Sequence, residues 1–206
     1  VVVDLGSGAG NDCFIARHEV GETGKVIGID FTPKMIEKAR MNAEARGFNN
    51  VEFREGDIEH IPITSNIADV IVSNCVLNLV PNKDGVFKEI FRVLKPGGHF
   101  SISDVVVEGS LPEGLRKDAE MYAGCVSGAI QKEVYLELIH TNGFENICIQ
   151  KEKAINIPED ILKKYLDDKE INSFKNETAG IFSLTVFARK PILNKNSACT
   201  PGGGCC

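Results

Sequence analysis

The sequence contains no tryptophan, only three tyrosines and three methionines in 206 residues. Aromatic platforms of the kind that hold single-stranded nucleic acid are therefore scarce. No run approaches the roughly 18 apolar residues that a membrane span needs, which excludes an integral helical membrane protein. No long basic stretch is present, and 23 Lys and Arg stand against 29 Asp and Glu, a formal net charge of −6. Phosphate neutralisation dominates affinity for nucleic acid, so nucleic acid is not expected as the main partner. There is no export-signal pattern at the start. Nor is there an initiator Met, and Val1-Val2-Val3 reads as a strand already under way, which predicts further chain upstream.

What is present is ordinary for a globular domain: 43% hydrophobic and 25% charged residues. A chain of this length buries roughly 70% of the surface its unfolded form exposes, enough for one α/β domain with a small appendage. The seven cysteines are Cys13, Cys75, Cys125, Cys148, Cys199, Cys205 and Cys206, three of them within the last eight residues. An odd, widely spread set without an export signal predicts reduced thiols in the cytoplasm rather than a disulfide framework.

The first half alternates strand and helix. Val1–Leu5 is an apolar run that meets a glycine-rich turn, as a buried strand does. Asn11 to Val20 reads as a helix stopped by Gly21 and Gly24, and Lys25–Asp30 as a second strand. Thr32-Pro33 is a cap and first-position pair, so a helix follows to Arg46, closed by Gly47. Val51–Arg54 and Ala68–Ser73 are the next strands. Asn82 to Leu94 is a helix with apolar residues at i, i+3/4 spacing. Lys95-Pro96-Gly97-Gly98 is expected to break that helix, and His99–Val107 follows as a fifth strand.

Beyond that point the pattern changes. Helices are predicted at Leu111–Tyr122 and Gln131–Asn142, strands at Ile147–Lys151 and Ile181–Ala188, and a charged helix-like stretch near Pro158–Leu166. From about Pro191 the composition is that of a tail. Strands separated by helices predict a doubly wound, mostly parallel sheet with right-handed crossovers, with the late strands added at one edge and the last antiparallel. The expected organisation is a ligand-binding core over 1–110, substrate-side helices and the last strands of the same sheet over 111–190, and a Cys-rich tail over 191–206.

The turn Asp4-Leu5-Gly6-Ser7-Gly8-Ala9-Gly10 is the strongest local signal. Glycines there let the backbone turn tightly and approach a ligand. Asp30 ends the next strand, where a carboxylate takes ribose hydroxyls. Asn11 stands where a dinucleotide fingerprint would have glycine. An acidic Asp4 ahead of the turn suits an ammonium group better than a phosphate. Asp57-Ile58 adds a third acidic point, placed for an adenine amino group. Three carboxylates at the carboxyl ends of consecutive strands point to a nucleoside ligand without phosphate; a plain structural turn with solvated aspartates is the alternative.

These motifs, with Gly56-Asp57-Ile58 and Leu94-Lys95-Pro96-Gly97-Gly98, resemble the series of class I S-adenosylmethionine-dependent methyltransferases, which implies a Rossmann-like sheet with an antiparallel edge strand. Three stretches are more particular: Asp4–Phe14, Ser73-Asn74-Cys75-Val76-Leu77-Asn78-Leu79 and Tyr122-Ala123-Gly124-Cys125-Val126-Ser127-Gly128-Ala129. Together they resemble the arsenite methyltransferases over nearly the whole chain. The resemblance implies that Asp4, Gly6, Ser7, Gly8 and Gly10 cradle the methionine part of S-adenosylmethionine. It implies that Asp30 and Phe31 hold ribose and adenine, that Asp57 and Ile58 read the adenine edge, and that Asn74 lies beside the methionyl end. Cys125 would bind trivalent arsenic and act in catalysis. A cap over the cofactor is expected ahead of Val1.

Trivalent arsenic carries a lone pair and needs no base, and as a soft centre it chooses thiolates. Two further thiol positions common in the family fall before Val1 and at Gly180. Cys199, Cys205 and Cys206 on the tail are candidates to complete the set, Cys205 and Cys206 above all, and small thiols such as glutathione are the other source. Cys13 and Cys148 are expected in the core. Cys75 is open between packing and cofactor contact, and Met35 is expected to pack. His18, His60, His99 and His140 offer no base. Two alternatives stand beside arsenite methylation: a class I methyltransferase for another small molecule, such as a quinone or lipid precursor, and a thiol-rich nucleoside-binding protein that sequesters soft metals.

Overall fold

In the computed structural model, residues 1–109, 128–155, 162–164, 167, 171 and 180–192 are described. The strands are β1 (Val2–Leu5), β2 (Val26–Asp30), β3 (Val51–Glu55), β4 (Ala68–Asn74), β5 (Leu94–Glu108), β6 (Glu145–Ala154) and β7 (Gly180–Arg189). The helices are α1 (Asn11–Val20), α2 (Pro33–Ala45), α3 (Lys83–Val93) and α4 (Lys132–Thr141). Short 3-10 turns span Ile58–His60 and Leu77–Leu79. The expected helices at 111–122 and near 158–166, and the tail beyond residue 192, lie outside the described residues.

All seven strands form one sheet in the order β3-β2-β1-β4-β5-β7-β6. β1 to β5 pair in parallel, as the strand-helix alternation predicts. β7 runs antiparallel to β5 and to β6, which it joins to the sheet. Every residue of β1 and β2 is buried because helices cover both faces of these central strands. On one face Cys13 of α1 and Ile36, Ala39 and Ala43 of α2 pack with Val2, Val26 and Phe53. On the other, Val86, Phe87 and Ile90 of α3 and Tyr135 and Ile139 of α4 pack over Leu5, Ile71 and Phe100.

The third helix ends at Val93, just ahead of Lys95-Pro96-Gly97-Gly98, as expected, but β5 begins at Leu94 rather than His99 and takes this segment in, with a register shift between Ala68 and Val70 on the partner. Gly97 N donates to Lys190 O at 2.9 Å and Lys190 N to Gly98 O at 2.8 Å, so the segment keeps ladder partners despite its proline. Cys148, expected in the core, is exposed, because β6 is the outermost strand of the sheet.

Candidate active site

Parallel register brings the ends of β1, β2, β3 and β4 to one edge of the sheet, with Leu5 opposite Ile29 and Ser73, and Asp30 opposite Glu55. In open α/β sheets this carboxyl edge is where ligands bind. The turn after β1 folds over the end of β2: Gly6 N and Ser7 N both donate to Ile29 O, at 2.8 and 2.9 Å. Gly6 and Gly8 hold φ of 73° and 52°, in the left-handed region that favours glycine. A side chain at Gly6 would run into the methyls of Val76, with Cγ1 at 2.7 Å, whereas one at Gly8 would point into open space.

Asp30 is the clamp of this turn. Its Oδ2 accepts from Gly8 N at 2.9 Å and its Oδ1 from Thr32 N at 2.8 Å, in a residue only 8% exposed. One carboxylate thus fixes the glycine turn and the entry to α2 together, leaving further lone pairs for a ligand. Thr32 makes no side-chain cap; Asp30 serves its backbone N–H instead. Asp57 Oδ1 accepts from Glu59 N at 2.9 Å and starts the 3-10 turn that follows β3.

The cleft between these elements measures about 590 Å³. Gly6, Gly8, Asp30, Phe31, Asp57 and Ile58 line it, which brings six of the ten residues expected for the cofactor to one site. Three carboxylates, Asp30, Asp57 and Glu59, line it, and among the described residues no Lys, Arg or His does. Such a wall repels phosphate and favours a cation. Phe31, 72% exposed, and Leu79, 62% exposed, form an apolar rim of the kind that covers a base.

The other expected residues stand apart from the cleft wall. Asp4 is 2% exposed, two residues before Gly6, and accepts from Cys13 Sγ at 3.2 Å. Burial raises its carboxyl to about 7, and the charges of Asp12 and Asp30 push the same way, against the Cys13 hydrogen bond. Ser7 turns under the loop toward Gly28, its hydroxyl without a hydrogen-bond partner among the described residues. Gly10 begins α1, packed against Phe14 and Phe53. Asn74 lines a separate concavity with Asp12, Ser101 and Ser103 rather than the main cleft. Met35, expected to pack, lies on the cleft wall and is 43% exposed. Thr32, Glu59, Val76, Leu79, Val80 and Pro81 complete the lining without having been singled out. For Val76 the available signal was the glycine at position 6, which leaves room for its methyls.

Beyond Val76 the turn after β4 carries chemistry. Cys75 has a φ of 58°, is half-buried, and donates its backbone N–H to Ser103 O at 2.7 Å. Behind it the Tyr135 phenol donates to Asp104 Oδ2 at 3.0 Å. Burial raises the Asp104 carboxyl to about 7, opposed by the Tyr135 hydrogen bond and the Lys83 ammonium. Desolvation drives the Tyr135 phenol up as well, followed by the charges of Asp104 and Cys75. Asn78 donates from Nδ2 to Val105 O at 2.8 Å, and Gly128 packs directly on its backbone carbonyl. Cys125, Cys199, Cys205 and Cys206 lie outside the described residues. Among the described residues, no three His, Cys, Asp or Glu side chains converge as a metal-ion site.

The methyltransferase domain family matches residues 1–143. The arsenite methyltransferase of Halobacterium salinarum is 42% identical over 190 residues, covering 92% of this chain and 46% of that protein. The demethylmenaquinone methyltransferase of Lactobacillus johnsonii is 38% identical over 175 residues, covering 72% of this chain and 69% of that protein. Among solved structures, the arsenic(III) S-adenosylmethionine methyltransferase of Chlamydomonas reinhardtii superimposes with a TM-score of 0.77 at 32% identity, over 92% of this chain and 63% of that one. The chain spans about half the length of the curated arsenite methyltransferases it matches.

Proposed function

Because the chain belongs to the methyltransferase domain family, we propose that it binds S-adenosylmethionine in the acidic cleft and directs its methyl group to trivalent arsenic. The donor carries a methyl group on a positively charged sulfur, and the arsenic lone pair takes it in line, so the S–C electrons return to sulfur and no base is needed. The residues present fit such a donor: a glycine turn with open space at Gly8, three carboxylates and no cation in the wall. Asp30 and the glycine turn orient the donor, Phe31 and Ile58 cover its base, and Asp57 accepts from the base's amino group. Alignment of this kind contributes roughly 7–11 kcal/mol to such a displacement.

The observation that carries the acceptor is the position of Cys75, one residue from Val76 in the donor-cleft wall. Soft arsenic needs converging thiolates. Cys75 and Cys125 supply two, with Gly128, three residues after Cys125, packed on Asn78 of the Cys75 turn. Cys205 and Cys206, with small thiols such as glutathione, supply the rest and the reducing power that returns methylated arsenic to the trivalent state. That chemistry suits the cytoplasm, where thiols stay reduced.

A second reading is methylation of a ring carbon on a reduced quinone, for which the demethylmenaquinone relative covers 72% of this chain against 92% for the arsenite methyltransferase of Halobacterium salinarum. Such an acceptor needs a group to take a proton, and among the described residues no histidine lines the cleft. Transfer of labelled methyl from S-adenosylmethionine in the presence of glutathione tests the choice. Arsenite-dependent label in methylated arsenic is expected; label only in an added demethylmenaquinol would reverse the assignment.

A further inference from the structure

We propose that Cys13 is a positioning residue for donor binding: its thiol holds the Asp4 carboxylate in one orientation and in its charged form beneath the glycine turn, and the grip on a cationic donor depends on that bond. The inference rests on the donor reading above. Cys13 sits in the first turn of α1 and is completely buried, and its Sγ donates to Asp4 Oδ2 at 3.2 Å. Desolvation and the neighbouring Asp4 drive its thiol far above the ordinary range, so it is an S–H donor at every physiological pH and not a nucleophile. It is therefore not a member of the arsenic thiol set.

Asp4 depends on this donor because of what else surrounds it. Among the described residues, the charged or titratable groups that act on it are Asp12 and Cys13 from α1 and Asp30 from β2. Both aspartates favour its neutral form, as does its burial; the Cys13 hydrogen bond opposes them. Among the described residues no cation compensates, so a positively charged ligand seated on the turn two residues away supplies the missing charge. By linkage, whatever keeps Asp4 charged strengthens that ligand, and protonation of Asp4 weakens it.

The test is calorimetric titration of the full chain with S-adenosylmethionine between about pH 5.5 and 9, for wild type, Cys13→Val, Cys13→Ser and Asp4→Asn, with thermal melting to establish folding. Wild-type affinity is expected to fall as pH drops through about 7. Valine fills the site but donates nothing, and shifts that midpoint upward by about half a unit to one unit, a several-fold loss near neutrality. Serine, which donates, restores the wild-type midpoint. Asp4→Asn flattens the profile, and adding Cys13→Val to it changes nothing further. An unshifted midpoint in a folded Cys13→Val protein overturns the inference, as does a valine effect that persists beside Asp4→Asn. If Cys13→Val does not fold, the serine variant carries the comparison: a midpoint moved by more than half a unit overturns it. Wild-type chain that binds no donor at any pH removes the donor reading itself.

Discussion

The Tyr135 phenol and the Asp104 carboxyl meet at 3.0 Å, each only 1% exposed, beneath the turn that carries Cys75. Asp104 Oδ1 has no partner among the described residues, and burial is the largest cause of its raised proton affinity. The native chain therefore holds a proton at Asp104 that the unfolded chain releases. Stability from this group is present below the ordinary carboxylate range, near 4, and is lost as pH rises through about 7. Asp104→Asn keeps an oxygen for Tyr135 and removes the charge. It is expected to stabilise the chain by about 1–3 kcal/mol at pH 8 and to change little at pH 5, measured by urea unfolding. Equal destabilisation at both pH values would contradict this.

Gly6→Ala places a methyl against Val76 at a backbone φ of 73°. Clash and strain together are expected to cost about 2–3 kcal/mol of stability and at least about tenfold in donor affinity. Gly8→Ala meets no atom among the described residues but is strained at its φ of 52°, so it should cost about 1 kcal/mol, less than Gly6→Ala, and still weaken the donor, whose space its methyl takes. Thermal melting and donor titration separate the two effects.

Asp30→Ala removes both acceptors of the glycine-turn clamp, whereas Asp30→Asn retains one oxygen. Donor affinity is expected to fall by about ten- to a hundredfold for alanine and by less for asparagine. Equal affinities for both variants and wild type would show that the clamp does not shape the cleft.

The glycine turn, Asp30 and Asp57 were legible because each lies at a strand end, where local pattern and parallel topology together fix position. The strands β1 and β2, apolar but for Asp4 and Asp30, announced burial on both faces. What was not legible depended on distant partners. The exposure of Cys148 follows from β7 inserting between β5 and β6, an antiparallel pairing that no local spacing encodes. Met35 reads as an apolar helix residue, but it stands in the first turn of α2, just past Asp30, and so reaches the cleft wall. Asn74 ends β4 but lines a concavity on its α1 side, with Asp12, apart from the main cleft, and no local pattern at the strand end shows which side it takes. The importance of Cys75 shows only when Val76 is seen lying on Gly6.

Cys75→Ser and Cys125→Ser are each expected to lower arsenite methylation on the order of a hundredfold while leaving donor affinity within about threefold, if the two thiols bind the acceptor as proposed. Combined Cys199, Cys205 and Cys206→Ser should raise the arsenite concentration needed for half-maximal rate and spare the maximal rate. Initial rates against arsenite concentration, with donor binding measured in parallel, check both.

Methyl transfer from labelled S-adenosylmethionine, run with arsenite and glutathione and again without arsenite, bears most directly on the proposed activity. Label is expected in methylated arsenic, formed only with arsenite present and, at donor concentrations below saturation, reduced at least about tenfold in Asp30→Ala. A folded chain that binds the donor but transfers no label to arsenic, or transfers it equally well to a demethylmenaquinol, would contradict it.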